Sequence, residues 1–238
     1  MGLNISVITP CLNSGQYIEK AICSVLEQDY PNYEHIVIDG GSEDATIDIL
    51  KKYKHVNWIS EPDKGQVDAM NKGFARSSGD IIVYLNADDY FLCNAFSTVI
   101  PYFASGEKFV VGDVVVQHPD RYVINTPKVE LWQMIRHWER MAFPNNPVGY
   151  FYAREVQEAV PFEEEFPCLM DIRFLFEAAQ RYTFKKINAL LGVYRCFEDT
   201  KTVHHMQEPG YWTRKNFYFI DKYVNLFPED YQRQFARD

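Results

Sequence analysis

The chain has 238 residues, of which 47% are hydrophobic and 16% are aromatic, so it can bury a substantial core. Its formal net charge of -9 at pH 7 argues against a sequence-independent nucleic-acid binder, because such proteins need a basic surface. The five cysteines show no CxxC pair, which favours reduced thiols over a disulfide framework. With no recognisable signal peptide and no apolar run near the ~20 residues that span a bilayer, the sequence predicts a cytoplasmic protein, soluble or peripheral at the inner face of the membrane.

Strand-like and helix-like segments alternate through the first half of the chain. The strand-like segments are apolar and end in proline, glycine or acidic residues: ISVITP (5–10), HIVIDGG (35–41), VNWISEP (56–62) and DIIVYLNADD (80–89). Residues 15–28, 42–53 and 65–77 are predicted helices, the second with Ser42 as its N-cap. This alternation predicts right-handed crossovers and a parallel sheet with helices on both faces.

The second half of the chain is less regular. KFVVGDVVVQH (108–118) is typical of two short strands around Gly112, and residues 188–197 are typical of a last strand. Helices are predicted over 129–142 and 168–182, and a strand that runs into a helix over 147–160. No repeat or linker divides the chain, so a single mixed α/β domain is the simplest interpretation.

Polar or acidic residues follow each of the four predicted strands in the first half. They are Thr9, Pro10 and Asn13 after the first strand, Asp39 after the second, Glu61 and Asp63 after the third, and Asn86, Asp88 and Asp89 after the fourth. Open α/β sheets bind ligands beyond the carboxyl ends of their strands, so these residues predict a binding site. Neither GxGxxG nor GxxxxGK[ST] follows the first strand. A divalent metal at Asp88 and Asp89 is therefore the natural partner for a bound diphosphate.

Three blocks of the sequence resemble the family 2 glycosyltransferases of the GT-A fold. They are ITPCLNSGQYIEKAICSVLEQDYPNYEHIVIDGGSEDAT, EPDKGQVDAMNKGF and GDIIVYLNADD, in the family's order and spacing. LMDIRFLFEAA is similar to the helix that begins with the catalytic base, and LLGVYR is similar to the last core strand. The resemblance implies a Rossmann-like GT-A domain over residues 1–205, with a mostly parallel sheet flanked by helices. Within it, residues 1–95 would bind the nucleotide and 96–205 the acceptor, while 206–238 would form a helical, aromatic-rich extension.

The resemblance also implies inverting transfer of a sugar from a nucleotide-sugar donor, with UDP-sugars favoured, to an acceptor hydroxyl in polysaccharide or glycolipid assembly. Carried over by position, nucleotide binding would fall to Thr9, Pro10, Asn13, Asp39, Asp63, Lys64, Gly65 and Asp88. Asp89 would ligate Mg2+ or Mn2+, and His204 is a further candidate for the metal, beside Arg195 and Lys201 for phosphate. Asp171 would be the general base, because an inverting displacement needs a carboxylate within reach of the attacking hydroxyl.

Simpler interpretations stand beside these roles. Asp39 is also typical of a capping acid in a turn, Asp171 of an acid stabilised at a helix N-terminus, and His204 of a solvated loop. The acids at 163–165 are the next candidates for the base if Asp171 does not serve. For the whole protein, the alternatives are a sugar nucleotidyltransferase and a non-catalytic nucleotide-sugar-binding protein.

Aromatic residues recur through the C-terminal extension. Phe219, Tyr223, Phe227, Tyr231 and Phe235 follow each other at four-residue intervals, although Pro228 must interrupt any helix. This stripe predicts packing on the core or on a second copy in a homodimer, in preference to contact with a membrane or a lipid-linked acceptor.

Overall fold

The computed structural model describes residues 2–131, 134, 144, 146–163, 170–197, 210, 221–226, 229 and 232. Within them nine strands form one sheet: β1 (Ile5–Cys11), β2 (Tyr33–Asp39), β3 (Val56–Ser60), β4 (Ile81–Tyr84), β5 (Tyr90–Phe91), β6 (Phe109–Gln117), β7 (Tyr122–Asn125), β8 (Tyr150–Ala153) and β9 (Phe184–Arg195). The α-helices of the same residues are α1 (Ile18–Leu26), α2 (Thr46–Leu50), α3 (Gln66–Arg76), α4 (Ala95–Ala104), α5 (Arg154–Ala159) and α6 (Met170–Ala179). Short 3₁₀ helices lie at Pro147–Gly149 and Val224–Leu226.

The sheet is parallel in its first half and mixed in its second. Its strand order is β3-β2-β1-β4-β8-β6-β9-β5, with β7 paired to β6. Strands β1 to β4 pair with one another in parallel, and α1, α2 and α3 form the crossovers between them, as predicted. Strand β8 runs antiparallel to both β4 and β6, so the parallel pairing is continuous through the first four strands and recurs between β6 and β9.

Hydrophobic clusters hold the helices to the two faces of the sheet. Ile8 of β1 packs in one cluster with Met70 of α3 and Phe174 of α6. Its neighbour Val7 packs in another cluster with Ala21 of α1. Successive residues of a strand point to opposite faces, so a continuous apolar run such as β1 fills both clusters at once. The polar loops are left at the carboxyl edge of the sheet.

The second helix begins later than the sequence predicts. Helix α2 starts at Thr46, and the prediction of Ser42 as its N-cap is wrong. Ser42 instead donates its hydroxyl to Asp39 and accepts the N–H of Asn13, so it belongs to the turn after β2. Asp44 instead binds the start of the helix, because its Oδ1 accepts the N–H of Thr46 at 2.9 Å.

The segment around Gly112 is one continuous strand, β6, where two short strands were predicted. A Cβ at Gly112 would clash with Leu191 of β9, so this glycine lets two strands approach each other and does not end either of them. Strands β5 and β7 and helix α4 were not predicted. Strand β5 has only two residues, and α4 contains Pro101, so both give weak sequence signals.

Several predicted features lie outside the described residues. They are most of the helix over 129–142, the acids Glu164 and Glu165, Lys201, His204 and most of the C-terminal extension. Within that extension Tyr223 is buried, and its ring stacks on Phe176 of α6 with the centroids 5.7 Å apart. For this residue the predicted packing on the core is observed. Among the described residues, no helix is both long enough and apolar enough to cross a bilayer.

Glu34 ties the amino-terminal part of β2 to the loop before β4. Its Oε1 accepts the hydroxyl of Ser6 at 2.6 Å, and the N–H and hydroxyl of Ser78 at 2.6 and 3.0 Å. Burial by itself raises the pKa of this carboxyl, but the donors outweigh burial and hold the pKa of Glu34 below its ordinary value. A carboxyl with a lowered pKa stabilises the fold above its unfolded pKa, and this stability is lost as the pH falls through the folded pKa.

We expect Glu34→Gln to lower the free energy of unfolding at pH 7 by about 1–2 kcal/mol, the size of a charged hydrogen bond that is partly exposed. The difference from wild type should shrink under acidic conditions, because the wild-type carboxyl is then protonated as well. Urea denaturation at a series of pH values measures this, with the exposed Glu27→Gln as a control that should show no such trend. Equal stability of wild type and Glu34→Gln at pH 7 would contradict the assignment.

Candidate active site

The loops after β1 and β2 are tied together at the carboxyl edge of the sheet. Asn13 donates its N–H to Ser42 Oγ at 2.6 Å, and Glu43 donates its N–H to Asn13 Oδ1 at 2.9 Å. Gly15 donates its N–H to Asp44 Oδ2 at 2.8 Å. Asn13 has a φ of 49°, a left-handed conformation that asparagine adopts more readily than most residues. These bonds give both loops a defined shape without a ligand.

Asp39 lies below these loops, and the protein itself occupies its carboxylate. Oδ2 accepts the N–H groups of Gly41 and Ser42 at 3.1 and 2.9 Å and the hydroxyl of Ser60 at 2.6 Å, while Oδ1 accepts the hydroxyl of Ser42. Burial alone raises the pKa of Asp39, yet these bonds hold it below the ordinary value. Because the residue is 0% exposed, the geometry favours the turn-holding role, and the nucleobase contact stays a prediction.

Thr9 and Pro10, which were expected to line the base and ribose pocket, are both buried in β1. The hydroxyl of Thr9 lies 3.0 Å from Nε2 of His35 in the neighbouring strand, so this side chain is buried against β2. Burial lowers the pKa of His35 to about 3, which keeps the imidazole neutral near pH 7. Contacts of Thr9 and Pro10 with a nucleotide stay predictions.

The segment from Asp63 to Gly65 lies over the turn after β2. A Cβ at Gly40 would be 2.7 Å from the Asp63 carboxylate, so only glycine leaves room for this approach. Asp63 Oδ1 accepts the N–H of Gly65 at 2.8 Å, and Lys64 donates its N–H to Asp68 Oδ2 at 3.1 Å. Gly65 has a φ of 123°, which favours glycine. The structure therefore places Asp63 beside the turn that Asp39 holds, at the predicted edge of the sheet.

Asp89 is the buried member of the acid pair that follows β4, with an exposed fraction of 1%. Its Oδ1 accepts the backbone N–H of Arg195 at 2.9 Å. Its Oδ2 accepts the side-chain amides of Asn146 and Asn86 at 2.8 and 3.0 Å. Asp89 thus joins the carboxyl ends of β4 and β9 to the segment that precedes β8. Both of its oxygens are engaged, and its role as a metal ligand stays a prediction.

Asp88 has different surroundings. It is partly buried, and within the described residues no hydrogen bond from another residue reaches its carboxylate. Burial raises the pKa of Asp88, opposed by the charge of Arg195, while burial and the Asp88 carboxylate together raise the pKa of Asp89. Two adjacent carboxyls of this kind are ionised more readily beside a cation. Asp88 has the oxygens that are available to bind one.

The guanidinium of Arg195 lies between two aromatic rings. Its central carbon is 4.3 Å from the ring centroid of Tyr17 and 4.6 Å from that of Phe197. This stacking holds a cation near Asp88, and its contact with a phosphate stays a prediction. Tyr17 and Asn146 were not identified from the sequence. Asn146 is 57 residues from Asp89, and no spacing rule connects the two.

Asp171 lies in the first turn of α6. Its Oδ1 accepts the N–H of Ile172 at 2.8 Å, as acids at helix N-termini often do. Tyr150, in β8, has its pKa raised by burial and then by the charge of Asp171, so the carboxylate lies within electrostatic range of this phenol. Helix α6 is anchored by Phe174, whose ring stacks on Phe162 with the centroids 4.6 Å apart. Both interpretations of Asp171, as a base and as a helix-terminal acid, are compatible with this position.

Among the described residues, no group of three or more His, Cys, Asp or Glu side chains is placed to hold a metal ion. Mg2+ usually needs no such cage, since one or two carboxylates with phosphate oxygens and water suffice. The carboxylate of Asp88, with its raised pKa and no hydrogen bond from any other residue of the described part, fits a site of this type. His204, the further candidate, lies outside the described residues.

Comparison with known proteins identifies relatives of this chain. The sequence profile described as "Glycosyl transferase family 2" matches residues 6–155. TuaG of Bacillus subtilis, a glycosyltransferase whose name links it to teichuronic acid biosynthesis, is 40% identical over 91 residues, which are 36% of this chain and 36% of TuaG. The matched part thus spans about a third of the length of such curated relatives.

Solved glycosyltransferase structures share the fold. S. aureus TarS superposes with a TM-score of 0.67 at 20% identity, over 81% of this chain and 60% of that chain. TarS in complex with UDP-GlcNAc gives a TM-score of 0.65 at 16% identity, over 84% of this chain and 60% of that chain. The mannosyltransferase PcManGT from Pyrobaculum calidifontis, in complex with GDP-Man and Mn2+, gives 0.63 at 17% identity, over 87% and 60%. These likenesses confirm the predicted GT-A fold.

The different surroundings of the two acids lead to a prediction about stability. We expect Asp89→Asn to lower the free energy of unfolding by about 1–3 kcal/mol, because an amide cannot accept at both positions and leaves a buried donor unpaired. Asp88→Asn should leave stability nearly unchanged, since the described residues donate nothing to its carboxylate. Urea denaturation of both variants in EDTA tests this. Equal losses of stability would show that the two acids have the same structural role.

Proposed function

The chain belongs to glycosyl transferase family 2, and we propose on this premise that it transfers a sugar from a nucleotide-sugar donor to a hydroxyl of a saccharide or lipid-linked acceptor. One observation carries the proposal. The acid pair Asp88 and Asp89 follows β4, which lies beside β1 in the sheet, and the loops after β1 and β2 end at the same edge. Ligands of open α/β sheets bind at this edge, and a carboxylate there can hold the cation that accompanies a diphosphate.

We propose a UDP-sugar as the donor. The support is the shared fold with TarS, which has been crystallised with UDP-GlcNAc, although PcManGT carries GDP-Man. In this arrangement the diphosphate lies near Arg195 and Asp88. The nucleoside extends along the loops at Asn13 and Asp63, which the hydrogen bonds described above hold in place.

Asp88 is proposed as the principal protein ligand of a divalent metal, in preference to Asp89. Its carboxylate accepts no hydrogen bond from another described residue, whereas both oxygens of Asp89 are occupied. Asp89 then serves by fixing the backbone that carries Asp88. Mg2+ or Mn2+ bound there would offset the negative charge that develops on the leaving diphosphate. His204 remains the candidate for a further ligand.

Asp171 is proposed as the general base. It accepts the proton of the acceptor hydroxyl while that oxygen attacks the anomeric carbon, and the bond from this carbon to the diphosphate oxygen breaks. Attack on the face opposite the diphosphate inverts the configuration. A non-catalytic binding protein would bind the same nucleotide without turnover, so the two candidate functions differ in what Asp171 does.

For the metal site, we expect Asp88→Asn to reduce the affinity for UDP in the presence of Mn2+ by at least about tenfold, because the ion loses a charged oxygen ligand. The affinity in EDTA should change little. Calorimetric titration with and without Mn2+ measures both values, and Asp48→Asn, an exposed acid on α2, is the matched control. Metal-dependent UDP binding that survives in folded Asp88→Asn would place the ion elsewhere.

For the base, we expect Asp171→Asn to lower turnover by roughly 10²–10⁴-fold, the usual contribution of a general base, with UDP affinity unchanged. The acceptor for this assay comes from a screen of oligosaccharides with UDP-sugars. Glu163→Gln is the matched variant, because it removes the neighbouring acid that pairs with Arg173 at 2.8 Å. Turnover that is preserved in Asp171→Asn and lost in Glu163→Gln would move the base to Glu163.

A further inference from the structure

An open patch of side chains lies on the β6–β7 hairpin, and we call it the hairpin face. It consists of Val115 and Gln117 of β6 and of Tyr122 and Ile124 of β7. Tyr122 and Ile124 are 68% and 59% exposed, unusually high values for large apolar side chains. The pairing of Val115 with Ile124 and of Gln117 with Tyr122 brings the four side chains to one face of the sheet.

This face is continuous with the side of the sheet that carries α6. Residues at odd positions of β6 share one face, and Phe109 at its amino end packs against Phe174 of α6 with ring centroids 6.2 Å apart. Along the same face, β6 is buried at Phe109 and Val111 and becomes partly exposed from Asp113, which forms an ion pair with Lys186, to Gln117. The hairpin face is therefore the open continuation of a surface whose closed part lies under the helix that bears Asp171.

The hairpin face also extends, across β9, towards Asp88 and Asp89. Gln117 pairs with Arg195 of β9, and Val115 pairs with Val193, which in turn pairs with Tyr90 of β5. Arg195 donates its backbone N–H to Asp89. A molecule lying on the hairpin face would thus have one end beside the proposed donor site.

The polar groups of the face suit a ligand with many hydroxyls. The amide of Gln117 lies 3.4 Å from the hydroxyl of Tyr90 and 3.3 Å from that of Tyr122, both longer than an ordinary hydrogen bond. These groups are therefore only weakly paired with each other and can exchange partners. A pyranose ring has an apolar face of C–H groups and a rim of hydroxyls, which an exposed tyrosine, an isoleucine and an amide complement.

Positive charge flanks the hairpin face within a protein whose formal net charge is -9. Lys20 lies 3.4 Å from the ring centroid of Tyr90, and Arg195 is the partner of Gln117 across the sheet. Among the described residues, no carboxylate lies within ion-pair distance of Lys20, whereas the charge of Arg195 already acts on Asp88. The surroundings favour a saccharide that carries anionic groups.

We propose that the hairpin face binds the acceptor saccharide at sugar units beyond the one that receives the transferred sugar. The inference rests on the proposed glycosyl transfer, and it names the acceptor as an extended, anionic saccharide chain. Tyr122 and Ile124 provide the contact surface, Gln117 the hydrogen bonds, and Lys20 the charge, while Arg195 stays with the donor diphosphate. The chain then leads from the hairpin towards Asp171 along one side of the sheet.

The test uses the double variant Tyr122→Ser/Ile124→Ser, whose side chains are exposed and contribute little to the core. Leu26→Ser on α1, 48% exposed, is the matched control. Each protein, loaded with UDP and Mn2+, is applied to an array of linear oligosaccharides, neutral and anionic. We expect wild type and Leu26→Ser to be retained on anionic oligosaccharides and the double variant to bind at least about tenfold more weakly, as for loss of an aromatic anchor.

Equal retention of the double variant, or a wild type retained on no oligosaccharide, would overturn the proposal. Thermal stabilisation by UDP and Mn2+ is measured on the same samples. Thermal stabilisation without saccharide binding refutes only saccharide binding at the hairpin face. If UDP and Mn2+ do not stabilise the wild type, the proposed function itself is refuted. Sedimentation of the same proteins tests whether a second copy of the chain binds at the hairpin face. A dimeric wild type and a monomeric double variant would make this face a self-association surface and refute saccharide binding there.

Discussion

The buried carboxylate of Asp89 is the interaction on which the candidate site depends. Three donors converge on its two oxygens: the backbone of Arg195 and the amide of Asn146, both distant in the chain, and the amide of nearby Asn86. Such a group is costly to bury unless it is fully bonded, so its bonds hold the ends of β4 and β9 together. Asp88, Arg195 and the start of β8 take their positions from this junction. In the proposed metal site, the partly buried Asp88 acts on a ligand because the fully buried Asp89 fixes its backbone.

The rest of the edge is organised in the same way. The side chains of Asn13, Ser42 and Asp44 bind backbone groups of the opposite loop, and Asp39 holds the turn between them. Little conformational freedom is left for a nucleotide to remove when it binds. Preorganisation of this kind favours affinity and places reacting atoms in a fixed relation.

The sequence was sufficient for the parallel half of the sheet and for the edge at which the candidate site lies. Strands buried on both faces are continuous apolar runs, and the residues just after them must meet at one edge of the sheet. By this argument Asp39, Asp63 and Asp88 were identified as candidates for the site. The different surroundings of Asp88 and Asp89 could not be predicted, because those of Asp89 depend on Asn146, a partner that no periodicity connects to β4. Ser42 was misassigned for a similar reason, since a hydroxyl that suits a helix N-cap also suits the turn held by Asp39.

Strand β8 has a consequence for how such a protein can diversify. It runs antiparallel between β4 and β6 and is the seam between the two parts of the sheet. The strands on one side of the seam pair among themselves, as do those on the other side. Substitutions on the β6–β7 hairpin therefore leave the strand pairing around Asp39 and Asp63 undisturbed. On the proposed roles, acceptor preference could change through substitutions on this hairpin while the loops around Asp39 and Asp63 are inherited unchanged.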